Sequence, residues 1–187
     1  MLVSITGCQL LNTLQQDNHN RESDNHTYTL TSTTSHHLFN SSPAEANERF
    51  QTSPWIRGHY RSAYEDNNGN LVLILSEDDI VTWKVYIKSK EKQFKTNAEA
   101  DGQSLDVSTD YKKIVASTNK ELYIAAGYDV TRMTIFCGIM QMLNGEDPNE
   151  WNVNIIFKDS DFGRVVKEVD FPKDGKFSID DTDWDVN

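Results

Sequence analysis

Apolar and polar residues alternate along two stretches of the chain. In IVTWKVYIK, every second side chain is apolar: Val81, Trp83, Val85 and Ile87. NEWNVNIIFKD repeats the pattern with apolar Trp151, Val153, Ile155 and Phe157. Polar residues such as Lys84 and Asn154 fill the positions between. A period of two is typical of a strand with one buried face, so the sequence predicts a strand in each stretch.

Turn-like sets separate these stretches from other β-prone runs, and they include EDNNGN, ADGQ, STNK, NGEDPN and PKDG. The Asn-Gly pair in EDNNGN tolerates the positive φ angles of tight hairpins. The spacing predicts an all-β domain over residues 54–187, with about eight to ten strands and little helix. An antiparallel meander β-barrel would hide the edges of the sheet, and a β-sandwich is the alternative.

Polar residues dominate the segment before this domain. Large apolar side chains are few between Asn12 and Ser53: Leu14, Tyr28, Leu30, Leu38, Phe39 and Phe50. A segment of this composition buries too little surface to offset the entropy lost on ordering. The sequence therefore predicts a flexible polar tether over residues 9–53.

The start of the chain carries a candidate modification site. Ile5-Thr6-Gly7-Cys8 resembles the lipobox of bacterial lipoproteins, in which small residues precede a cysteine that receives a diacylglycerol. The resemblance covers residues 1–8, which it implies are the remnant of a signal peptide. It implies that acyl chains on Cys8 hold the protein at the cell envelope, on the outer membrane or the cell surface.

A second resemblance concerns the predicted first strand. PWIRGHY, followed by a meander, is similar to the Trp- and Gly-containing opening of lipocalin-like domains, although Trp55 precedes Gly58 where classical lipocalins have the reverse order. The resemblance implies a β-barrel of the lipocalin (calycin) type, closed at one end by Trp55. A late arginine, Arg132 or Arg164, would stack against that ring.

Charge and composition exclude several classes of partner. The 187-residue chain has a net charge of −11, whereas binding to a phosphate backbone requires clustered Lys and Arg. Two cysteines make neither a disulfide framework nor a four-ligand zinc site. We therefore expect no nucleic acid, no metal and no cofactor, and we expect a monomer.

Catalytic residues are not evident in the predicted domain. His59 is its only histidine, and a nucleophile needs an activating base nearby. Cys137 lies in the apolar run TIFCGIM, which favours a buried, unreactive thiol. The acidic groups EDD at 77–79, DSD at 159–161 and the acidic C-terminal tail are typical of turns and solvated ends.

These observations predict a membrane-anchored bacterial lipoprotein without catalytic activity, which binds a small apolar ligand or an envelope protein. The inward aromatic residues are the candidate ligand contacts: Trp83, Tyr86, Tyr123 and Phe157. A secreted interaction or inhibitor module of the sandwich type is the alternative, and a carboxylate-dependent hydrolase is a weaker one. A ligand binder requires an apolar cavity, whereas a hydrolase requires two converging carboxylates.

Overall fold

The computed structural model describes residues 24–175 and 179–185 and combines helices with two sheets. The strands are β1 Asn25–Leu30, β2 Ser62–Glu65, β3 Leu71–Ser76, β4 Ser104–Val107, β5 Lys113–Thr118, β6 Val153–Asp159 and β7 Val165–Phe171. The α-helices are α1 Ser32–Phe39, α2 Ala46–Thr52, α3 Glu77–Ala100 and α4 Tyr123–Leu143. Short 3₁₀ helices cover Pro43–Glu45 and Asp181–Trp184.

The strands form two open sheets rather than a closed barrel. The first sheet has the order β1-β3-β2 and is antiparallel throughout. The second has the order β4-β5-β6-β7, in which β5 and β6 are parallel and the other pairs are antiparallel. Helix α4 makes the crossover that a parallel pair requires. Both the all-β barrel and the alternative β-sandwich are therefore wrong, and the fold is mixed α/β.

The stretch around Trp83 is a helix, because apolar residues at helical spacing extend beyond the short run in which apolar and polar residues alternate. The buried apolar residues of α3 are Ile80, Trp83, Ile87 and Phe94, which follow the helical spacing of three, four and seven. Val81 and Val85 belong to the predicted inward set, yet they are 56% and 63% exposed. Ser76 begins the helix, since its hydroxyl and the Asp79 carboxylate form a reciprocal capping box.

Helix α4 contains the apolar run TIFCGIM, in a domain that was expected to hold little helix. Its C-terminal half is buried almost all round, from Met133 to Leu143 with few exceptions, and it packs against α1, α3, β5 and β6. A helix that is apolar on every side has no polar face to reveal its period. Periodicity alone therefore could not distinguish this helix from a buried strand.

Two local predictions are confirmed. NVNIIFKD forms β6, and the predicted inward residues Trp151, Val153, Ile155 and Phe157 are all buried. EDNNGN forms the β2–β3 hairpin, where Gly69 has a φ of +76°. Asp66 Oδ1 accepts the backbone N–H groups of Asn68 at 2.8 Å and Asn70 at 2.9 Å. The Asn70 backbone bond is the main cause of the lowered pKa of this carboxyl group.

Most of the predicted tether is folded. Residues 25–52 form β1, α1 and α2, and these elements bury Leu30, Leu38, Phe39 and Phe50. Polar residues predominate in this segment, so its composition did not indicate that these four side chains are enough to anchor it in the core. Burial, followed by the charge of Glu77, raises the pKa of Tyr28 on β1 to about 12. The prediction of a tether now concerns residues 9–23, which lie outside the described residues, as does Cys8.

One contiguous core joins the two sheets. It contains Leu30, Leu71 and Leu73 from the first sheet and Ile114 and Val153 from the second, with the buried faces of the helices between them. Asn149 links the two halves at the surface. Its side-chain amide donates to Thr29 O at 3.0 Å and accepts Thr31 N–H at 2.9 Å. Within the described ranges, no helix has both the length and the apolar character needed to cross a bilayer.

Candidate functional site

The four residues predicted to bind a ligand do not line one cavity. Trp83 is fully buried on α3, and its indole N–H donates to His59 O at 2.7 Å. Tyr86, one turn later, is half-buried. Phe157 lies in the interior of the second sheet. Tyr123 begins α4, where its ring lies 5.8 Å from that of Trp184 and its hydroxyl donates to Asp181 Oδ1 at 3.2 Å.

Trp55 is the centre of an aromatic cluster that contains two of those four residues. Its ring stacks on Tyr86, with 5.0 Å between centroids and 3° between planes. It also meets Trp83 edge-on at 5.2 Å and Phe136 edge-on at 6.0 Å. Such aromatic pairs add to the stabilisation from burial. The cluster holds Trp55 in place although its own ring is only half-buried.

An open groove of about 380 Å³ lies beside Trp55, and we call it the aromatic groove. Its apolar lining comes from α1, α2, the segment after α2, and α4: Leu38, Phe39, Phe50, Pro54, Trp55, Ile56, Ile135 and Phe136. Four further residues complete it: Asn40, Arg49, Thr52 and Ser53. This volume lies in the usual range for small-molecule sites, and such sites combine apolar walls with a few polar groups.

Arg49 supplies the charge of the aromatic groove. It lies in the last turn of α2, and its Nε–H donates to the carbonyl oxygen of Phe39 at 2.7 Å. That carbonyl belongs to the last residue of α1, whose C-terminal end turns sharply at Asn40 (φ +49°). The bond fixes the guanidinium between the two helices at the groove.

Neither Arg132 nor Arg164 stacks on the Trp55 ring as the lipocalin resemblance implied. Arg164 donates from Nε to Asp159 Oδ2 at 3.3 Å and from Nη2 to the carbonyl oxygen of Trp184. Arg132 is an exposed residue of α4. The rings recorded against Trp55 are those of Trp83, Tyr86 and Phe136. Trp55 therefore packs on side chains of helices α3 and α4 and does not close the end of a barrel.

A second groove, of about 500 Å³, lies where α1 approaches the segment before β6. Most of its lining residues are of polar types, among them Thr31, His37, Asn149 and Glu150. Burial, followed by the charge of His36, lowers the pKa of His37. Trp151 also borders this groove but is 3% exposed, so its ring offers a ligand almost no surface.

The cavity between α3 and the N-terminal half of α4 is small, at about 50 Å³. Ala98, Ala126 and Leu105 contribute to its apolar wall. Asp129 borders it, and burial raises the pKa of that carboxyl group against the opposing charge of Arg132. A space of this size holds about one or two water molecules, and it is too small for a drug-sized ligand.

The acidic motifs have structural partners. Asp79 accepts from the hydroxyl of Ser76 at 2.6 Å and lies 3.5 Å from Arg61 Nε. Asp159 accepts the backbone N–H of Asp161 at 2.9 Å. Across residues 24–175 and 179–185, no group of three or more His, Cys, Asp or Glu side chains is arranged to hold a metal ion.

Cys137 is buried on α4, as the apolar run around it predicted. Burial raises the pKa of its thiol strongly, and the nearby charges of Glu91 and Asp110 act in the same direction. Because the thiolate is the reactive form, we expect Cys137 in the folded Cys8→Ser variant to resist iodoacetamide at pH 8. Unfolding in guanidinium should restore alkylation, measured by intact mass. Equal labelling rates with and without guanidinium would show that the thiol is accessible in the native state.

Most residues that line the aromatic groove were not predicted from the sequence, because they come from regions to which other roles were assigned. Arg49 lies in the predicted tether, and Ile135 and Phe136 lie in the apolar run TIFCGIM, which was interpreted only as the surroundings of a buried thiol. Trp55, after Pro54, was the one sequence signal that indicated the region of the groove.

Comparison of the chain with protein-family models, curated proteins and solved structures finds no match.

Proposed function

We propose that this protein is a non-catalytic binding module that holds a small apolar or amphipathic ligand in the aromatic groove. One observation carries the proposal: half-buried Trp55, Ile135 and Phe136 face an open space of about 380 Å³. Removing their remaining apolar surface from water would provide the driving force for binding.

The construction of the groove favours a preformed site. Phe39 and Phe50 contact one another edge-on at 4.9 Å, and both contact the ring of Trp83. The stack of Trp55 on Tyr86 fixes the position of the Trp55 ring. A rigid apolar surface loses little conformational entropy when a ligand binds, and this increases the affinity obtained from a given contact area.

Location is a separate proposal. Attachment of this module to a bacterial envelope by a lipid on Cys8 is supported by the motif Ile5-Thr6-Gly7-Cys8 alone. The binding proposal does not depend on it, since the groove is formed by residues 38–56 and 135–136.

Titration with the neutral fluorescent probe N-phenyl-1-naphthylamine tests the binding proposal. We expect saturable enhancement of the probe's fluorescence with one site per chain. Trp55→Ala and Ile135→Gln should each weaken binding about tenfold or more, because each removes much of an apolar contact surface. Circular dichroism establishes whether both variants remain folded.

Phe162→Ala is the matched control, because Phe162 is 81% exposed in the β6–β7 turn, outside the groove. It should bind the probe as the parent does. If Phe162→Ala weakens binding while Ile135→Gln does not, the probe is adsorbing to exposed aromatic surface and the proposed site is wrong.

A further inference from the structure

The lining of the aromatic groove carries a single positive charge. Arg49 is the only charged residue among the described residues that line the groove. The chain as a whole carries a net charge of −11. Arg49 is itself exposed, and a positive group beside apolar walls on an acidic protein favours a ligand with one negative end.

The Arg49 guanidinium has donors available for such a ligand. In the described part of the chain, no carboxylate lies within 4.0 Å of the Arg49 side chain. Its recorded hydrogen bond uses Nε alone, toward the carbonyl oxygen of Phe39. Guanidinium carries five N–H donors, and those on the two Nη atoms match the paired oxygens of a carboxylate.

The distribution of charge and apolar surface defines the ligand class. On the basis of the proposed function, we infer that the aromatic groove binds a medium-chain fatty acid, with its carboxylate on Arg49 and its alkyl chain against Trp55, Ile135 and Phe136. Arg49 can pair with an anion, and the apolar lining residues accept methylene groups and offer no second charge. A doubly charged ligand would leave an unpaired polar group against those walls, which is unfavourable, and an alkyl chain longer than the groove would leave methylene groups in water.

The competing explanation is that Arg49 acts only as a cap on the last carbonyl groups of α1. A cap of this kind stabilises the helix end but gives no preference between an acid and an alcohol of the same length. Comparison of octanoate with 1-octanol therefore separates the two roles.

Isothermal titration of the full chain at pH 7.5 and low ionic strength provides the test. We expect octanoate to bind about tenfold more tightly than 1-octanol, since a partly exposed charge-assisted hydrogen bond contributes at the low end of its usual range. Added salt should weaken octanoate binding and leave octanol binding unchanged. Arg49→Gln should abolish the preference for the acid, and Arg49→Lys should retain most of it because the cation remains.

Arg57→Gln is the control, since Arg57 is exposed, lies eight residues further along the chain and does not line the groove. It should preserve the preference for octanoate. If the parent binds octanoate and octanol equally, the acid-binding role of Arg49 is wrong although the groove still binds apolar ligands. If neither ligand binds, or if Trp55→Ala leaves their binding unchanged, the proposed function itself fails.

Discussion

Replacing Gly138 by alanine is expected to destabilise the protein by about 2 kcal/mol. Gly138 lies on the buried face of α4, where α1 and the segment before β6 approach it closely. A Cβ atom there would lie 2.6 Å from Leu38 Cδ2 and 2.6 Å from Trp151 Cε3. Real Cβ atoms do not approach carbon atoms so closely, so the neighbouring side chains must shift.

Two opposing effects determine the result of this substitution. Alanine is favoured over glycine in a helix by about 1 kcal/mol. Leu38 can move the end of its side chain, but Trp151 is 3% exposed and its ring packs on Phe171, with 5.7 Å between centroids. Overpacking against a ring that cannot move costs about 1–3 kcal/mol, and occasionally more. We expect this cost to exceed the gain in helix propensity.

Gly127→Ala is a matched control in the same helix. Apart from the neighbouring backbone of its own helix, a Cβ atom at Gly127 meets no atom within 4 Å. Only the difference in helix propensity between alanine and glycine therefore changes the free energy of unfolding. We expect this variant to gain about 0.5–1 kcal/mol. Guanidinium denaturation followed by circular dichroism measures both free energies of unfolding.

A double-mutant cycle identifies the source of the strain. In the Trp151→Phe background, the smaller ring leaves room beside Gly138, so Gly138→Ala should cost less than it does in the parent. A Gly138→Ala variant that is as stable as Gly127→Ala would contradict the close approach of Trp151 to α4.

The sequence predicted local structure best where one pattern was unambiguous. In β6 the alternation agrees with the flanking turns and with the burial of Val153, Ile155 and Phe157 on one face, and the hairpin at Asn-Gly has a specific backbone requirement. The stretch around Trp83 satisfied both a period of two and a helical spacing over nine residues. The helical period becomes evident only when Phe94 and the Ser76 capping box are included.

The aromatic groove could not be predicted because its residues are far apart in sequence. Arg49 and Phe136 come together only when α2 packs near α4, and no local pattern encodes that contact. The polar composition of residues 25–52 also misdirected the search. A segment rich in Ser, Thr and Asn folds here because Leu30, Leu38, Phe39 and Phe50 fall on the faces that meet the core.

Trp83→Ala is expected to have the largest effect on stability, a loss of about 3–5 kcal/mol. The indole is fully buried among Phe39, Phe50 and Trp55, and alanine leaves a large cavity. A loss of this size approaches the total stability of many domains. Because the same ring supports the aromatic groove, any folded fraction should also bind the naphthylamine probe weakly.

Trp83→Phe tests the hydrogen-bond contribution in a variant that we expect to fold. Phenylalanine keeps an aromatic ring but removes the N–H that donates to His59 O at 2.7 Å, and we expect a loss of about 1–3 kcal/mol from the lost bond and the smaller ring. Trp184→Phe provides the comparison. Among the described residues, the buried indole N–H of Trp184 has no acceptor, so its removal relieves an unsatisfied donor and should cost less. Equal losses of unfolding free energy in the two variants would show that the bond to His59 contributes nothing measurable, and that packing alone makes Trp83 important for the fold.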